Sequence, residues 1–375
     1  MIGCVLHINS YLKDRTFYKG LFESLFNQGI KIRVFTPVPF GKRGKADEVG
    51  TYVDVKECYQ SYERLLFFRK QNKCIREAER IYDFSKIKLF HAHSMCTNGY
   101  VAYKLSRKYK IPYIITVRNG DLNDIYKKMI YLRPVFNRII KYSSKVVFLS
   151  TPYRDDVIEN CVPKSMKNDL RRKSVVIPNG IDSFWMDNEY AGDKVVHNPL
   201  RIIYAGEINQ NKNIGKLVEV VTTLNREFIP TRLEIVGELK DPSLKTILNM
   251  EYVKYNPKVD KYELIQKYRN NDIFVMISRK EAFGLVYAEA MTQGLPIIYT
   301  QDQGFDKQFD EGYVGYHVDC MNTKEIVERI ITITKNYDVL SNNTRIAAKQ
   351  FKWDKIALRY IELYDELVSG MDRSI

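Results

Sequence analysis

The sequence predicts an α/β protein built from two Rossmann-like domains, each a parallel sheet layered with helices. Three observations carry this expectation. Short apolar runs alternate with segments of helical period along the whole chain, the pattern of β-α units in a doubly wound sheet. The alternation runs twice, on either side of a polar stretch without periodicity. The 375 residues exceed what one core of ordinary size needs. The expected boundaries are residues 1–180, a linker over 181–199, a second domain over 200–350, and a final helix over 351–375.

In the first half, Ile2–Ile8 reads as a strand. Thr16–Asn27 reads as an amphipathic helix, with Phe17, Leu21, Leu25 and Phe26 at helical spacing. Lys31–Thr36 is the next strand, and Pro37–Ala46, rich in Pro, Gly and basic residues, is a loop. A long basic helix is expected over Tyr62–Tyr82. Strand Leu89–His93, helix Thr97–Lys108 and strand Pro112–Val117 follow. Asp124–Tyr142 is helical, kinked or broken at Pro134. Lys145–Leu149 and Ser174–Ile177 complete the half.

The turn Pro178-Asn-Gly-Ile-Asp182 opens the linker. Strands are then expected at Arg201–Ala205, Leu233–Val236, Asp272–Ile277, Leu295–Thr300 and Val314–Val318. Helices are expected at Ile214–Phe228, Lys261–Arg269, Leu285–Met291 and Thr323–Lys335. The last helix, Trp353–Val368, carries Ile356, Tyr360, Leu363, Tyr364 and Leu367 as an apolar stripe.

Composition narrows the function classes. Hydrophobic residues make up 45% and charged residues 28%, as in a globular protein in water. No apolar run is long enough to span a bilayer, and Met1–Ser10 reads as a first strand, not a signal peptide. Six cysteines are scattered without a C-x-x-C pair, which points to a reduced, cytoplasmic compartment. The five histidines show no metal-ligand spacing. His91 and His93, two residues apart, are expected on opposite strand faces and so not as joint ligands.

The net charge of +14 is unevenly spread. Residues 1–180 hold 34 Lys and Arg against 16 Asp and Glu, and the remainder is slightly acidic. A basic half-chain suits a polyanionic partner. Leu65-Leu-Phe-Phe-Arg-Lys70 and Lys127-Lys-Met-Ile-Tyr-Leu-Arg133 mix apolar and basic residues and could lie on an anionic bilayer. The alternative for each is a core-facing stripe with solvated lysines. No nucleic-acid recognition motif is present.

The stretch Glu281-Ala-Phe-Gly284-Leu-Val-Tyr-Ala-Glu289 lies between an expected strand and an expected helix. In open α/β sheets ligands bind at such strand ends. The N–H groups of Phe283, Gly284 and Leu285 at the helix start suit a phosphate. Two carboxylates there, Glu281 and Glu289, read as acceptors for sugar hydroxyls on either side of that phosphate. The alternative is a dipole-stabilised acid and a solvated helix residue. Gly206, after the first strand of the second half, allows close backbone approach, and Lys212 can neutralise phosphate.

Glu281-Ala-Phe-Gly, Glu289-Ala-Met and Gly294-Leu-Pro together resemble the E-x7-E signature of retaining glycosyltransferase family 4. The resemblance is to bacterial capsular and exopolysaccharide enzymes, and it extends over most of the chain. It implies the GT-B fold, two Rossmann-like domains with parallel sheets facing a central cleft and a last helix, 351–375, that packs back on the first domain. It also implies a hexosyltransferase that retains configuration and needs no metal or other cofactor. Its donor would be a nucleotide diphosphate sugar, and its acceptor a lipid-linked or growing surface polysaccharide. Glu281 would then hold the donor sugar, Glu289 the ribose, and Lys212 with the helix-start amides the diphosphate. Gly206, Phe283, Gly284 and Leu285 complete the donor site.

Tyr204-Ala-Gly206-Glu207 through Lys212 resembles the family's glycine–arginine…lysine segment, with Glu207 where an arginine is usual. Arg279 or Lys280 could supply the missing charge. Ile115-Thr-Val-Arg118-Asn119-Gly-Asp121 carries Arg118 where many relatives have histidine. Arg118 could hold phosphate, and Asn119 or Asp121 could bond sugar hydroxyls on the acceptor side. Val176-Ile-Pro-Asn-Gly-Ile-Asp182 and Gln303-Gly-Phe-Asp306 also match family motifs: the first reads as structural, the second as either a donor contact or a turn. The loop Asn9–Lys13 lacks the paired glycines common there and is assigned no role. The expected location is cytoplasmic, peripheral on the inner face of the plasma membrane. A nucleotide-sugar-binding regulatory subunit without activity is the alternative function.

Overall fold

The computed structural model describes residues 2–10, 15–42 and 50–372. Residues 11–13 of the expected loop Asn9–Lys13 and 43–46 of the expected loop Pro37–Ala46 lie outside the described residues. The chain folds as two compact units. The first comprises residues 1–149, 154–178 and 353–375, and the second residues 150–153 and 179–352.

The first unit is built on strands β1 (Cys4–Ile8), β2 (Ile32–Pro39), β3 (Val53–Tyr59), β4 (Ile87–Ala92), β5 (Tyr113–Thr116), β6 (Lys145–Phe148) and β7 (Ser174–Val176). Among the described residues they form one parallel sheet in the order β3-β2-β1-β4-β5-β6-β7. β1, β4 and β5 are buried almost throughout, without the alternation of a half-exposed strand, as in a parallel sheet covered on both faces. The order reverses between β1 and β4. A topological switch point lies there, the position at which open α/β sheets bind ligands.

The C-terminal helix, Trp353–Asp372, belongs to this unit. Trp353, Ile356, Tyr360 and Tyr364 enter one core with Tyr18, Leu21, Phe22 and Leu25 of the helix Arg15–Asn27. A Cβ on Gly20 would stand 2.1 Å from the Trp353 ring, so only glycine lets the two helices come this close. Ser24 Oγ donates to Asp354 Oδ1 at 2.6 Å and fixes the register.

One expectation is corrected here. The helix expected over Tyr62–Tyr82 is a 3₁₀ turn, Ser61–Leu65, a non-helical Leu66, and then the helix Phe67–Ile81. The buried Glu63 causes the break: it accepts the Gln60 N–H and pairs with Arg69 and Lys73, which anchors the turn. The helix expected over Asp124–Tyr142 is broken ahead of Pro134, one of the two outcomes expected there: Pro134 sits in the first turn of a new helix, Arg133–Tyr142, where its missing N–H costs nothing. The edge strand β3 and the charge-rich helix Lys164–Lys173 were not anticipated. Polar residues alternate along β3, and the helix buries little beyond Leu170 and Lys173.

The second unit carries β8 (Leu200–Ala205), β9 (Thr231–Val236), β10 (Val253–Asn256), β11 (Ile273–Met276), β12 (Ile297–Thr300) and β13 (Gly315–Val318). Their order is β10-β9-β8-β11-β12-β13, parallel throughout among the described residues. The switch point falls between β8 and β11. The expected linker 181–199 is part of this unit. It forms the short helix Ser183–Asp187, whose Trp185 is buried against Tyr268. The helix Tyr337–Ala348 and the edge strand β10 had no counterpart in the sequence reading.

Candidate active site

In the second unit the loops after β8 and β11 flank the switch point, and one asparagine laces them together. Asn211 accepts the Arg279 N–H at its carbonyl (2.8 Å) and the Lys280 N–H at Oδ1 (3.1 Å), and donates Nδ2 to the Lys280 carbonyl (2.9 Å). Asn209 caps the turn Gln210–Lys212 that holds it by accepting the Lys212 N–H. The lacing brings Lys212 Nζ to 2.6 Å from Glu281 Oε2. The two side chains are 19% and 16% exposed, so the pair is partly desolvated but still reachable from solvent.

Glycine makes the strand ends fit. A Cβ on Gly237, after β9, would stand 1.7 Å from the Gly206 carbonyl oxygen. Gly206 itself has φ +152°, and the buried Tyr204 hydroxyl donates to the Glu207 carbonyl at 2.7 Å. The Glu207 side chain is exposed on this turn. Arg279 and Lys280 are exposed beside Glu281.

A second set of contacts supports Glu281 from below. Its N–H donates to Gln303 Oε1 at 3.0 Å, and its carbonyl accepts the Gly304 N–H at 2.8 Å. A Cβ on Gly304 would lie 2.2 Å from the Ala282 carbonyl carbon. Ser150 Oγ donates to the Ala282 carbonyl at 3.0 Å. The stretch Gln303-Gly-Phe-Asp306 therefore props the Glu281 loop. Its Phe305 packs on Phe283 and Tyr287, and the buried Asp306 accepts the N–H groups of Asp302 and Lys307.

The helix Leu285–Thr292 starts at Gly284, whose φ of +83° is a left-handed cap that favours glycine. Its first N–H groups lack intrahelical partners by geometry and present a positive dipole end. Phe283 is buried, and Leu285 is half-buried. One turn on, Glu289 is half-buried. Desolvation, with the Asp182 charge adding to it, pushes its carboxyl up to about 7. Lys212, Glu281, Gly206 and the helix start thus come together in one unit, with Glu289 along the same helix. Asn211, Gln303 and Ser150 support them; Gln303 lay in a stretch the sequence had singled out, whereas the supporting roles of Asn211 and Ser150 had no signal, since a lone Asn or Ser in a loop carries no pattern.

In the first unit the residues expected on the acceptor side separate by role. Arg118, just beyond β5, is half-buried with its guanidinium 5.1 Å from the Tyr18 ring centre. Asn119 is exposed. Asp121 is fully buried, and its carboxylate accepts the N–H groups of Met95 (2.9 Å), Cys96 (3.0 Å) and Arg118 (3.0 Å). The expectation that Asp121 bonds sugar hydroxyls is corrected: its oxygens hold the loop after β4 against the loop after β5. Burial pushes this carboxyl up to about 6 against the lowering effect of the three N–H groups.

The histidine expectation is also corrected. His91 and His93 point to one side, with ring centres 4.0 Å apart, because residues two apart along extended chain share a face. His7 joins them: its Nδ1 lies 2.9 Å from His93 Nε2, and one ring nitrogen of each of the three falls within 4.8 Å of the others. His91 is bonded through Nδ1 to the Tyr364 hydroxyl (2.7 Å) and through Nε2 to Thr116 Oγ1 (2.9 Å). Burial pushes all three down, His7 to about 3, and the Arg118 charge lowers His91 and His93 further.

Two family models match the chain almost end to end. "Glycosyltransferase Family 4" covers residues 16–183, and "Glycosyl transferases group 1" covers residues 188–351. The chain belongs to glycosyltransferase family 4. It is a glycosyltransferase of the GT-B fold. This family 4 chain is 24% identical to an uncharacterized glycosyltransferase of Methanocaldococcus jannaschii, over 97% of this chain and 95% of that one. It is 24% identical to alpha-monoglucosyldiacylglycerol synthase of Acholeplasma laidlawii, over 95% and 94%. Among solved structures, HepE of Anabaena in complex with UDP and glucose superposes with a TM-score of 0.69 at 16% identity, over 97% of this chain and all of that one.

Proposed function

We propose that this chain moves a hexose, with retention and without a metal, from a nucleotide diphosphate sugar to a lipid-linked or growing-polysaccharide acceptor. The reaction would serve surface polysaccharide synthesis at the cytoplasmic face of the membrane. The observation that carries the reading is the Lys212–Glu281 pair at a switch point, next to a glycine-capped helix start. UDP and glucose in HepE support a UDP-sugar donor, and the Acholeplasma laidlawii enzyme's name supports a lipid acceptor.

In this mechanism the bond from the sugar's anomeric carbon to the diphosphate oxygen breaks while the bond to the acceptor oxygen forms on the same face. The acceptor hydroxyl's proton passes to the departing diphosphate. The chain's contribution is position and charge. Lys212 and the N–H groups of Phe283, Gly284 and Leu285 stabilise the leaving group, Glu281 holds sugar hydroxyls, and Glu289 holds the ribose. Arg118 and Asn119 serve the acceptor side. A preorganised charge of this kind is worth about 10²–10³ in rate per group removed.

The test is sugar transfer from a panel of UDP-sugars, with Lys212→Ala, Glu281→Ala and Glu289→Ala beside the unaltered chain. Each should lose at least about 10²-fold, and full activity in all three removes the assignment. Two observations favour a second reading: Glu207 replaces the usual arginine, and Glu281 already neutralises Lys212. On that reading the chain binds nucleotide sugars and regulates a partner enzyme, and purified protein would shift its melting temperature with UDP-sugar yet hydrolyse none.

A further inference from the structure

We propose that the second unit holds a further binding site, remote from Lys212 and Glu281, for a small phosphorylated polyol. The site is a cavity of about 1180 Å³ at the N-terminal ends of β8, β9 and β10. Lys212 and Glu281 follow the C-terminal ends of β8 and β11, at the opposite edge of the same sheet. The proposal is therefore independent of the reaction proposed above.

Two arginines stand side by side in the cavity lining. Arg201 of β8 and Arg232 of β9 are register partners in the parallel sheet. Such partners point to one face, and neighbouring strands lie about 4.8 Å apart. Like charges so placed repel and weaken the pairing. Arg201 is half-buried and donates Nη1 to the Asn270 carbonyl at 3.2 Å, while Arg232 is exposed. Among the described residues neither guanidinium is held in an ion pair.

The acids of the lining are engaged elsewhere. Glu234, two residues beyond Arg232 on the same strand face, is 13% exposed. Its Oε1 accepts Asn256 Nδ2 at 2.9 Å and Lys267 Nζ at 3.3 Å, and its Oε2 accepts Asn271 Nδ2 at 2.8 Å. Glu263, on the helix Lys261–Arg269, meets Lys267 at 3.2 Å. The remaining acid, Glu251, is exposed at the rim, as is Lys254. With four cations and three acids in the lining, pairing singles out the two arginines, not net charge.

Charge and shape select the occupant. Neighbouring guanidiniums offer N–H forks that grip a phosphate bidentately. A phosphate between them turns the repulsion across the strands into attraction for a shared anion. The cavity is far larger than a phosphate alone, and Gln266 and Asn270 bring exposed amides that suit hydroxyls. The phosphate thus comes on a hydroxyl-rich body of small-molecule size.

The full chain, in phosphate-free buffer, is titrated calorimetrically with ribose 5-phosphate, inorganic phosphate and ribose. Ribose 5-phosphate should bind about 10-fold or more tighter than inorganic phosphate, and ribose alone should give no heat. Arg201→Gln with Arg232→Gln should weaken ribose 5-phosphate by about 100-fold, and Lys212→Ala should leave it unchanged. Arg232→Gln alone, at an exposed side chain, should lose about 10-fold. Without ligand that variant should melt no lower than the unaltered chain, because a repulsion is gone. No saturable binding of either phosphate, or binding that Arg232→Gln keeps in full, overturns the proposal. Binding lost in Lys212→Ala and kept in the arginine variants puts the phosphate at the donor site and overturns it too. Equal affinity for inorganic phosphate and its ribose ester overturns the polyol assignment.

Discussion

Lys212 Nζ lies 2.6 Å from Glu281 Oε2, so the lysine assigned to the leaving diphosphate already holds a counter-charge from the neighbouring loop. The pair bridges the ends of β8 and β11, strands that are neighbours in the sheet although the two side chains are 69 residues apart. A diphosphate must share or displace that carboxylate. Glu281→Gln keeps the shape and removes the competition. Free UDP should then bind about 5- to 10-fold tighter, while sugar transfer falls by about 10²-fold or more. Calorimetric titration with UDP and initial rates check both, and unchanged or weaker UDP binding sinks the idea of competition.

Glu289 makes stability depend on pH. Its folded-state value, about 7, lies above the ordinary 4.5 because desolvation and Asp182 disfavour the charged form. The folded chain keeps a proton that the unfolded chain releases, so this group's contribution falls as pH rises from about 4.5 to 7 and stays low above. Glu289→Gln should flatten that slope and raise stability at pH 8 by on the order of 1–3 kcal/mol relative to the unaltered chain. Melting curves across this range check it. A variant whose pH slope matches the original contradicts it.

The glycine under the site has a sharper signature. Gly304→Ala would press a methyl group to 2.2 Å from the Ala282 carbonyl carbon and 2.3 Å from the Phe283 nitrogen, both backbone atoms. The Glu281 loop must then move, at a cost of about 1–3 kcal/mol, and transfer activity should fall with it. Gly215, inside the helix Ile214–Glu227, is the control, since a Cβ there meets nothing within 4 Å. Gly215→Ala should stabilise by about 0.5–1 kcal/mol and leave the rate unchanged. A reversed order in urea melts refutes the packing argument.

The C-terminal helix is part of the first unit's core. The Tyr364 hydroxyl meets His91 Nδ1 at 2.7 Å, deep under the sheet's strand ends. Tyr364→Phe strands a buried imidazole nitrogen and should cost about 1–3 kcal/mol. Tyr364→Ala removes the ring as well and should cost about 3–5 kcal/mol. Two-probe denaturation, with the loss confined to the transition of the first unit, is the measurement. Equal stability of the Phe variant would show that His91 finds another partner.

Local pattern decided much of this protein. The apolar runs that became β1, β4, β5, β8, β11 and β12 are buried on both faces, so burial wrote them into the sequence without alternation. The helix start at Gly284 was legible because a glycine in the left-handed region leaves a recognisable punctuation between strand and helix. The edge strands β3 and β10 were not legible, because half of their surface answers to solvent and their residues alternate with charge.

What only the tertiary structure decided is which loop stands beside which. Strand order, set by sheet pairing between residues far apart in sequence, places Lys212 against Glu281 and makes Asn211, Gln303 and Gly304 its supports. The same long-range packing turned Asp121 inward to three backbone N–H groups and gathered His7, His91 and His93 on one side. It also turned Leu65 outward, because a buried Glu63 outweighed the helical propensity of its neighbours. Periodicity encodes which face of an element is dry. The neighbours that make a site come from the order in which those elements pair.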